Sequence, residues 1–183
     1  QVNAAIDVSY KLFPSTRVGL TFGGADRDYD TYPARELDGT RFTGNPSLEF
    51  RYWSAGATLR QRITSSLWVA LDYQLTDRED QYLGYDDYRR STIRAVVHLS
   101  VWRIVADFAY VYRDYDFPNA FAFDTPAGGA KTLTSNVAEF AAQRWLWRHL
   151  YLTANARFEL NESSDPRSEF ESTQAGLGVK WIM

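Results

Sequence analysis

Alternation with a period of two runs through nearly the whole chain, and no stretch carries the 3.6-residue spacing of an amphipathic helix. In VNAAIDVSYKLF, Val2, Ala4, Ile6, Val8, Tyr10 and Leu12 share one face against Asn3, Asp7, Ser9 and Lys11. LWVALDYQLT, STIRAVVHLSV, RIVADFAYVY, LYLTANARFEL and STQAGLGVKWI repeat the pattern, and TRVGLTFGGA and TSNVAEFAAQRWLW fit it. Each such segment is a strand with one apolar and one polar face. In SLEFRYWSAGATLRQRI the phase changes, from Leu48, Phe50 and Tyr52 to Trp53, Ala55, Ala57 and Leu59, which predicts a bulge near Ser54–Gly56. About nine strands result. Many reach the ~9–11 residues that a tilted strand needs to cross hydrocarbon, against a globular mean of about 5–6.

The connections alternate in length. PST, TSS and the VWR and WRH junctions are tight, whereas stretches such as TYPARELDGTRFTGNPS and FPNAFAFDTPAGGAKTLTS are long and polar. Short turns at one end and long loops at the other predict an all-β fold, a transmembrane antiparallel up-and-down β-barrel in a bacterial outer membrane. Single-chain bacterial barrels carry an even number of strands with both termini on one side. Here the first and last strands both run toward the short-turn end. The expectation is that residues 1–183 are the C-terminal part of a longer protein, a barrel of ten or more strands. Eight is the alternative if VNAAIDVSYKLF lies elsewhere.

A formal net charge of −3 from 20 basic and 23 acidic residues, mixed along the chain, argues against a nucleic-acid surface. Cysteine is absent and only His98 and His149 offer imidazole, so no metal, cofactor or thiol chemistry is expected. Acidic loop starts lack the twelve-residue calcium-loop pattern. Aromatic residues make up 16%, and tyrosines gather at the long-loop end and tryptophans at the short-turn end. That distribution predicts interfacial girdles, with Tyr29, Tyr82, Tyr85, Tyr112, Tyr115 and Trp181 at the membrane boundary. Trp68, Trp102 and Trp145 fall on the polar phase, toward the barrel mouth. The repeats YRDYDF (112–117) and DRDYDTY (26–32), with the looser TDREDQY and YDDYRR, read as boundary markers. Tyrosines would stand at headgroup level there, with Asp and Arg in the charged lipopolysaccharide zone, and Arg27 and Arg113 either hold phosphate at that boundary or turn inward to guard a pore.

The polar phase supplies the candidate lumen: Asp7, Arg51, Arg60, Arg62, Asp72, Arg94, His98, Asp107, Glu139, Asn155, Arg157 and Glu159. Such charges either pair across a narrow lumen, because an unpaired buried charge is costly, or line water in a wide one. Arg51, Arg60, Arg62, Arg94 and Arg157 would form a ladder for an anionic substrate, offset by the carboxylates. The one nucleus for catalysis is His98 with Ser91, Ser100 or Asp107, and no orienting motif surrounds it. No catalytic residue is expected.

QAGLGVKW resembles the C-terminal signal of bacterial outer-membrane β-barrels, with Gln174, Gly176, Val179 and Trp181 in the matching positions. The resemblance implies recognition by the barrel-assembly machinery. With the Tyr/Asp/Arg loop starts and DYDFPNAFAF, the chain also resembles the C-terminal barrel of proteobacterial β-barrel porin proteins that serve surface export. It implies a transport or secretion channel for surface polysaccharide or lipoprotein, with outer-membrane lipid, lipopolysaccharide and periplasmic export proteins as partners. The alternatives are a closed barrel acting as membrane anchor, adhesion surface or docking site, a lipid-modifying enzyme, and a soluble lipocalin-like binder with its apolar face inside.

Overall fold

In the computed structural model, which describes residues 2–147 and 149–181, nine strands form one sheet in sequence order. They are β1 (Val2–Phe13), β2 (Thr16–Pro33), β3 (Ser47–Arg62), β4 (Leu67–Asp80), β5 (Tyr88–Val101), β6 (Ile104–Phe121), β7 (Ala130–Trp147), β8 (Leu150–Ser163) and β9 (Phe170–Trp181). Each is antiparallel to the next. The architecture is an up-and-down sheet of outer-membrane-barrel type, and β1 and β9 are not paired with each other. Strands β2, β6 and β7 run for 18 residues, well beyond what one bilayer crossing requires. Their upper ends absorb sequence that composition alone assigns to loops.

Residues opposite one another across an antiparallel pair share a face, so the register sorts every side chain. Residues from β3 to β9 on the polar phase line one cavity of about 680 Å³, which makes that phase the concave side. The convex side carries Val18, Leu20 and Phe22 on β2, Trp53, Ala55, Ala57 and Leu59 on β3, and Val69, Leu71, Tyr73 and Leu75 on β4. Leu20 and Leu71 are half exposed on this face. A continuous apolar surface of this height has hydrocarbon as its compatible solvent.

The bulge expected near Ser54–Gly56 does not form, because β3 keeps unbroken register with β2 and β4 across it. Leu48, Phe50 and Tyr52 simply face inward. Above the apolar band the outside is polar, so the sorting rule reverses without any slip. Leu48 and Phe50 are buried with Ala34 from the following loop side, and Tyr29 and Tyr52 pack against them. The same parity moves Arg51 from its expected lumen position to the convex side, where it pairs with Asp26 at 3.3 Å.

Trp102 occupies the two-residue turn between β5 and β6 with φ 55, and its ring is almost fully exposed. Such turns need left-handed conformations that suit Asn or Gly. It is thus neither on a strand face nor inside the mouth. Trp68 and Trp145 do lie on the concave phase of β4 and β7.

The face assignment is testable by urea titration in phospholipid vesicles. Leu71→Arg, at the centre of the convex band, should lower stability by about 2–4 kcal/mol. Gln74→Arg, on the concave side, should cost far less.

Candidate functional site on the concave face

The concave face divides into tiers by charge chemistry. At the short-turn mouth, Lys11, Arg17 and Arg60 are directly opposed on β1, β2 and β3, with Arg62 two residues below. Arg60 stacks on Trp68 at 3.8 Å, and the other partner of Trp68 is the His98 ring, parallel at 4.9 Å. His98 Nδ1 meets Asp107 Oδ1 at 2.7 Å. Among the described residues no hydroxyl is hydrogen-bonded to His98, and Ser91 lies on the opposite, convex phase. The candidate catalytic nucleus is therefore a histidine–carboxylate pair clamped by a tryptophan.

At mid-height the charges are matched. Arg94 faces Asp72 at 3.7 Å, and Arg157 bridges Glu139 and Glu159, the latter at 2.8 Å. Asp7 accepts from the Thr21 hydroxyl at 2.7 Å. Asn155 sits opposite Gly176, where a side chain would collide with the Asn155 amide oxygen. Of the twelve candidate lumen residues, Asp7, Arg60, Arg62, Asp72, Arg94, His98, Asp107, Glu139, Asn155, Arg157 and Glu159 share the concave phase, and Arg51 does not.

The upper tier adds Arg78, Arg90 and Lys131, which sequence reasoning did not select, to the Arg27 and Arg113 of the repeats. Arg78 lies between the rings of Phe50 and Tyr88, at 4.2 and 4.3 Å, and donates to the Asp86 carbonyl. Arg27 lies over Tyr52 at 5.0 Å, Arg90 over Tyr115 at 5.7 Å, and Lys131 over Phe117 at 5.4 Å. Arg113 donates to the Ser135 hydroxyl at 3.4 Å. None of these five cations has a carboxylate within ion-pair distance among the described residues. Cation–π contacts of this kind hold a guanidinium by its face.

The signal was present in the repeated motif. In YRDYDF, Arg113, Tyr115 and Phe117 point inward while Tyr112, Asp114 and Asp116 point outward. Arg27 and Tyr29 in DRDYDTY likewise point inward, with Asp26 and Asp28 outward. Of the two alternatives for Arg27 and Arg113 the inward one holds, whereas Arg89 of YDDYRR is on the convex phase, paired with Asp77 at 2.9 Å. The girdle assignment is corrected in the same way. Tyr29 and Tyr115 are inward, and Tyr85 is fully buried beneath the loops. Tyr82 stands beyond the end of β4, donating to Glu36 at 3.2 Å. Tyr112 and Trp181 are on the convex phase, together with Trp53 and Tyr110. In the terminal motif, Gln174 and Gly176 are concave and Val179 and Trp181 convex.

Above the upper tier the long loops are knitted together. Asp124 receives Arg35 and, at 3.1 Å, Arg167, which also grips Asp165 at 2.6 Å. The Tyr85 hydroxyl donates to Asp124 and accepts from the Phe121 amide at 3.2 Å, and Asn119 donates to the Gly84 carbonyl at 2.9 Å. Gly39, at φ 87, packs so closely on the Asp124 backbone that no Cβ fits. Segments 34–46, 81–87, 122–129 and 164–169 form one roof. Hydrogen bonds from Arg167 hold the Asp165 carboxyl far below the usual carboxylate range, whereas burial raises that of Asp87.

The fold is similar to that of OmpT (in-vitro folded), an outer membrane protein of Vibrio cholerae, with a TM-score of 0.71 at 9% identity. The trimer form of that protein also gives 0.71, at 11% identity. Each comparison covers 98% of this chain and 55% of the other, so the chain spans about half the length of the structures it resembles. No protein-family model and no curated protein matches the sequence. With its convex apolar band, the fold defines an outer-membrane β-barrel chain.

The roof makes an acid-sensitivity prediction. A carboxylate with a lowered folded pKa stabilises fully above its unfolded value near ~4, and that contribution is lost as pH falls through the folded value. Asp165 should therefore favour roof closure throughout the neutral range and release it only in strong acid. Asp87, shifted the other way, opposes this as pH falls. Asp165→Asn should speed amide exchange in segments 122–129 and 164–169 at pH 7, leaving the strand cores unchanged; unchanged loop exchange would remove the role assigned to this ion pair.

Proposed function

We propose that this chain forms the wall of a transport or secretion channel, with surface polysaccharide as the cargo its concave face fits best. The observation that carries the reading is the upper tier, where Arg27, Arg78, Arg90 and Arg113 alternate with Tyr52, Tyr88, Tyr115 and Phe117 and have no carboxylate partner among the described residues. Aromatic faces suit the apolar faces of sugar rings, and guanidinium edges suit carboxylate or phosphate substituents. An apolar lipoprotein anchor would find little to match there. On this reading the wall acts as a conduit and not as an enzyme. Unpaired backbone groups along β1 and β9 would be costly in hydrocarbon, which supports a ring completed by further strands. Barrel-assembly machinery and periplasmic export proteins are the partners this reading requires.

A second reading, a closed barrel that anchors or docks, is favoured by the roof of Arg35, Asp124, Arg167 and Asp165. Planar-bilayer recording separates the two. The conduit predicts ion-conducting steps that an acidic polyuronate oligosaccharide blocks and a neutral glucan of equal length does not. Arg90→Gln with Arg113→Gln should weaken that block about tenfold, the loss expected for charge-assisted contacts. No conductance, even after removal of the 34–46 loop, would leave the closed barrel standing.

A further inference from the structure

Four cations cluster at the short-turn mouth of the concave face, and none of them has an ion pair among the described residues. Lys11, Arg17 and Arg60 lie in one row across three consecutive strands, and Arg62 lies beneath. Like charges directly opposed on neighbouring strands destabilise a sheet. Among the described residues no carboxylate lies within ion-pair distance of them: Asp72 is taken by Arg94, Asp107 by His98, and Glu139 and Glu159 by Arg157, while Asp7 accepts from the Thr21 hydroxyl. The four side chains make no hydrogen bond to another described residue and are exposed toward a cavity of about 290 Å³, which they line with Ser15 and Trp68.

The cavity is also organised. Trp68 is fixed between Arg60 and His98, so the Arg60 guanidinium is held by its face with its N–H edge left to donate. Immobilising one fork of donors beside three further cations lowers the ordering cost of binding an anion. An oxyanion with two or more charges would remove the repulsion within the row and accept from several donors at once.

We infer that Lys11, Arg17, Arg60 and Arg62 form a binding site for a multivalent oxyanion of the phosphate or carboxylate class at the short-turn entrance of the barrel. The inference deepens the conduit reading and rests on it for its meaning: the site meets an anionic polymer at the opening, before or after the Arg–aromatic tier. The anion could be a free oligophosphate or the charged groups of the polymer.

The full chain in non-ionic detergent is titrated calorimetrically with pyrophosphate, with a polyuronate oligosaccharide and with a neutral glucan. Both anions should bind and the glucan should not. Preference for one anion identifies its source, and affinity should fall steeply with added salt. Arg17→Gln with Arg60→Gln should weaken anion binding at least about tenfold, while Arg51→Gln, on the convex side, should leave it unchanged. Thermal unfolding gives a second readout, in which pyrophosphate raises the wild-type midpoint and the double variant, relieved of repulsion, starts higher and gains nothing. Absence of anion binding, or binding indifferent to Arg17 and Arg60, overturns the site. A barrel that binds pyrophosphate without conducting keeps the site and removes the conduit, and one that conducts without binding does the reverse.

Discussion

Every feature of this chain depends on one constraint: in hydrocarbon each backbone N–H and C=O must find its partner within the protein. An antiparallel sheet satisfies it between strands, and the price is a strict alternation of side chains between two solvents. From Val2 to Trp181 the chain keeps that alternation through eight strand pairings whose strand-to-strand register is irregular only near strand ends. What changes along the strands is the identity of the solvents. Low on the wall they are lipid outside and water inside. High on the wall the outside becomes polar and the inside becomes a packed layer of aromatics beneath the loops.

That change explains what was legible in the sequence. Strand number, order and apolar face followed from period two, because the apolar band is long and its contrast with the polar face is strong. Arg51 is displaced from its expected face because the apolar side chains Leu48, Phe50 and Tyr52 do not face the same solvent as Leu59. A bulge would reconcile those phases within one solvent, whereas a change of solvent reconciles them without one. The tyrosines failed similarly: Tyr112 and Tyr115 are three residues apart and so cannot share a face in a strand.

The site was only partly readable for a different reason. Which charges share the concave face follows from parity, and eleven of twelve expected lumen residues do so. Which of them neutralise one another depends on cross-strand register, and no local pattern encodes that. Arg94 and Arg157 meet carboxylates, while Arg60 is opposite Arg17, which is in turn opposite Lys11. The roof was the least legible part, since Arg35, Asp124 and Arg167 come from loops far apart in sequence.

The repeated alternation of acid outward and arginine inward also separates charge across the thickness of the wall. Asp26, Asp28, Asp114 and Asp116 lie on one side, and Arg27 and Arg113 on the other. The formal net charge of −3 therefore conceals a radial dipole layer, with an electropositive interior wrapped in an electronegative rim. An approaching anion would be repelled by the collar and attracted within it, so the wall can favour anions inside while discouraging their accumulation on the outer surface.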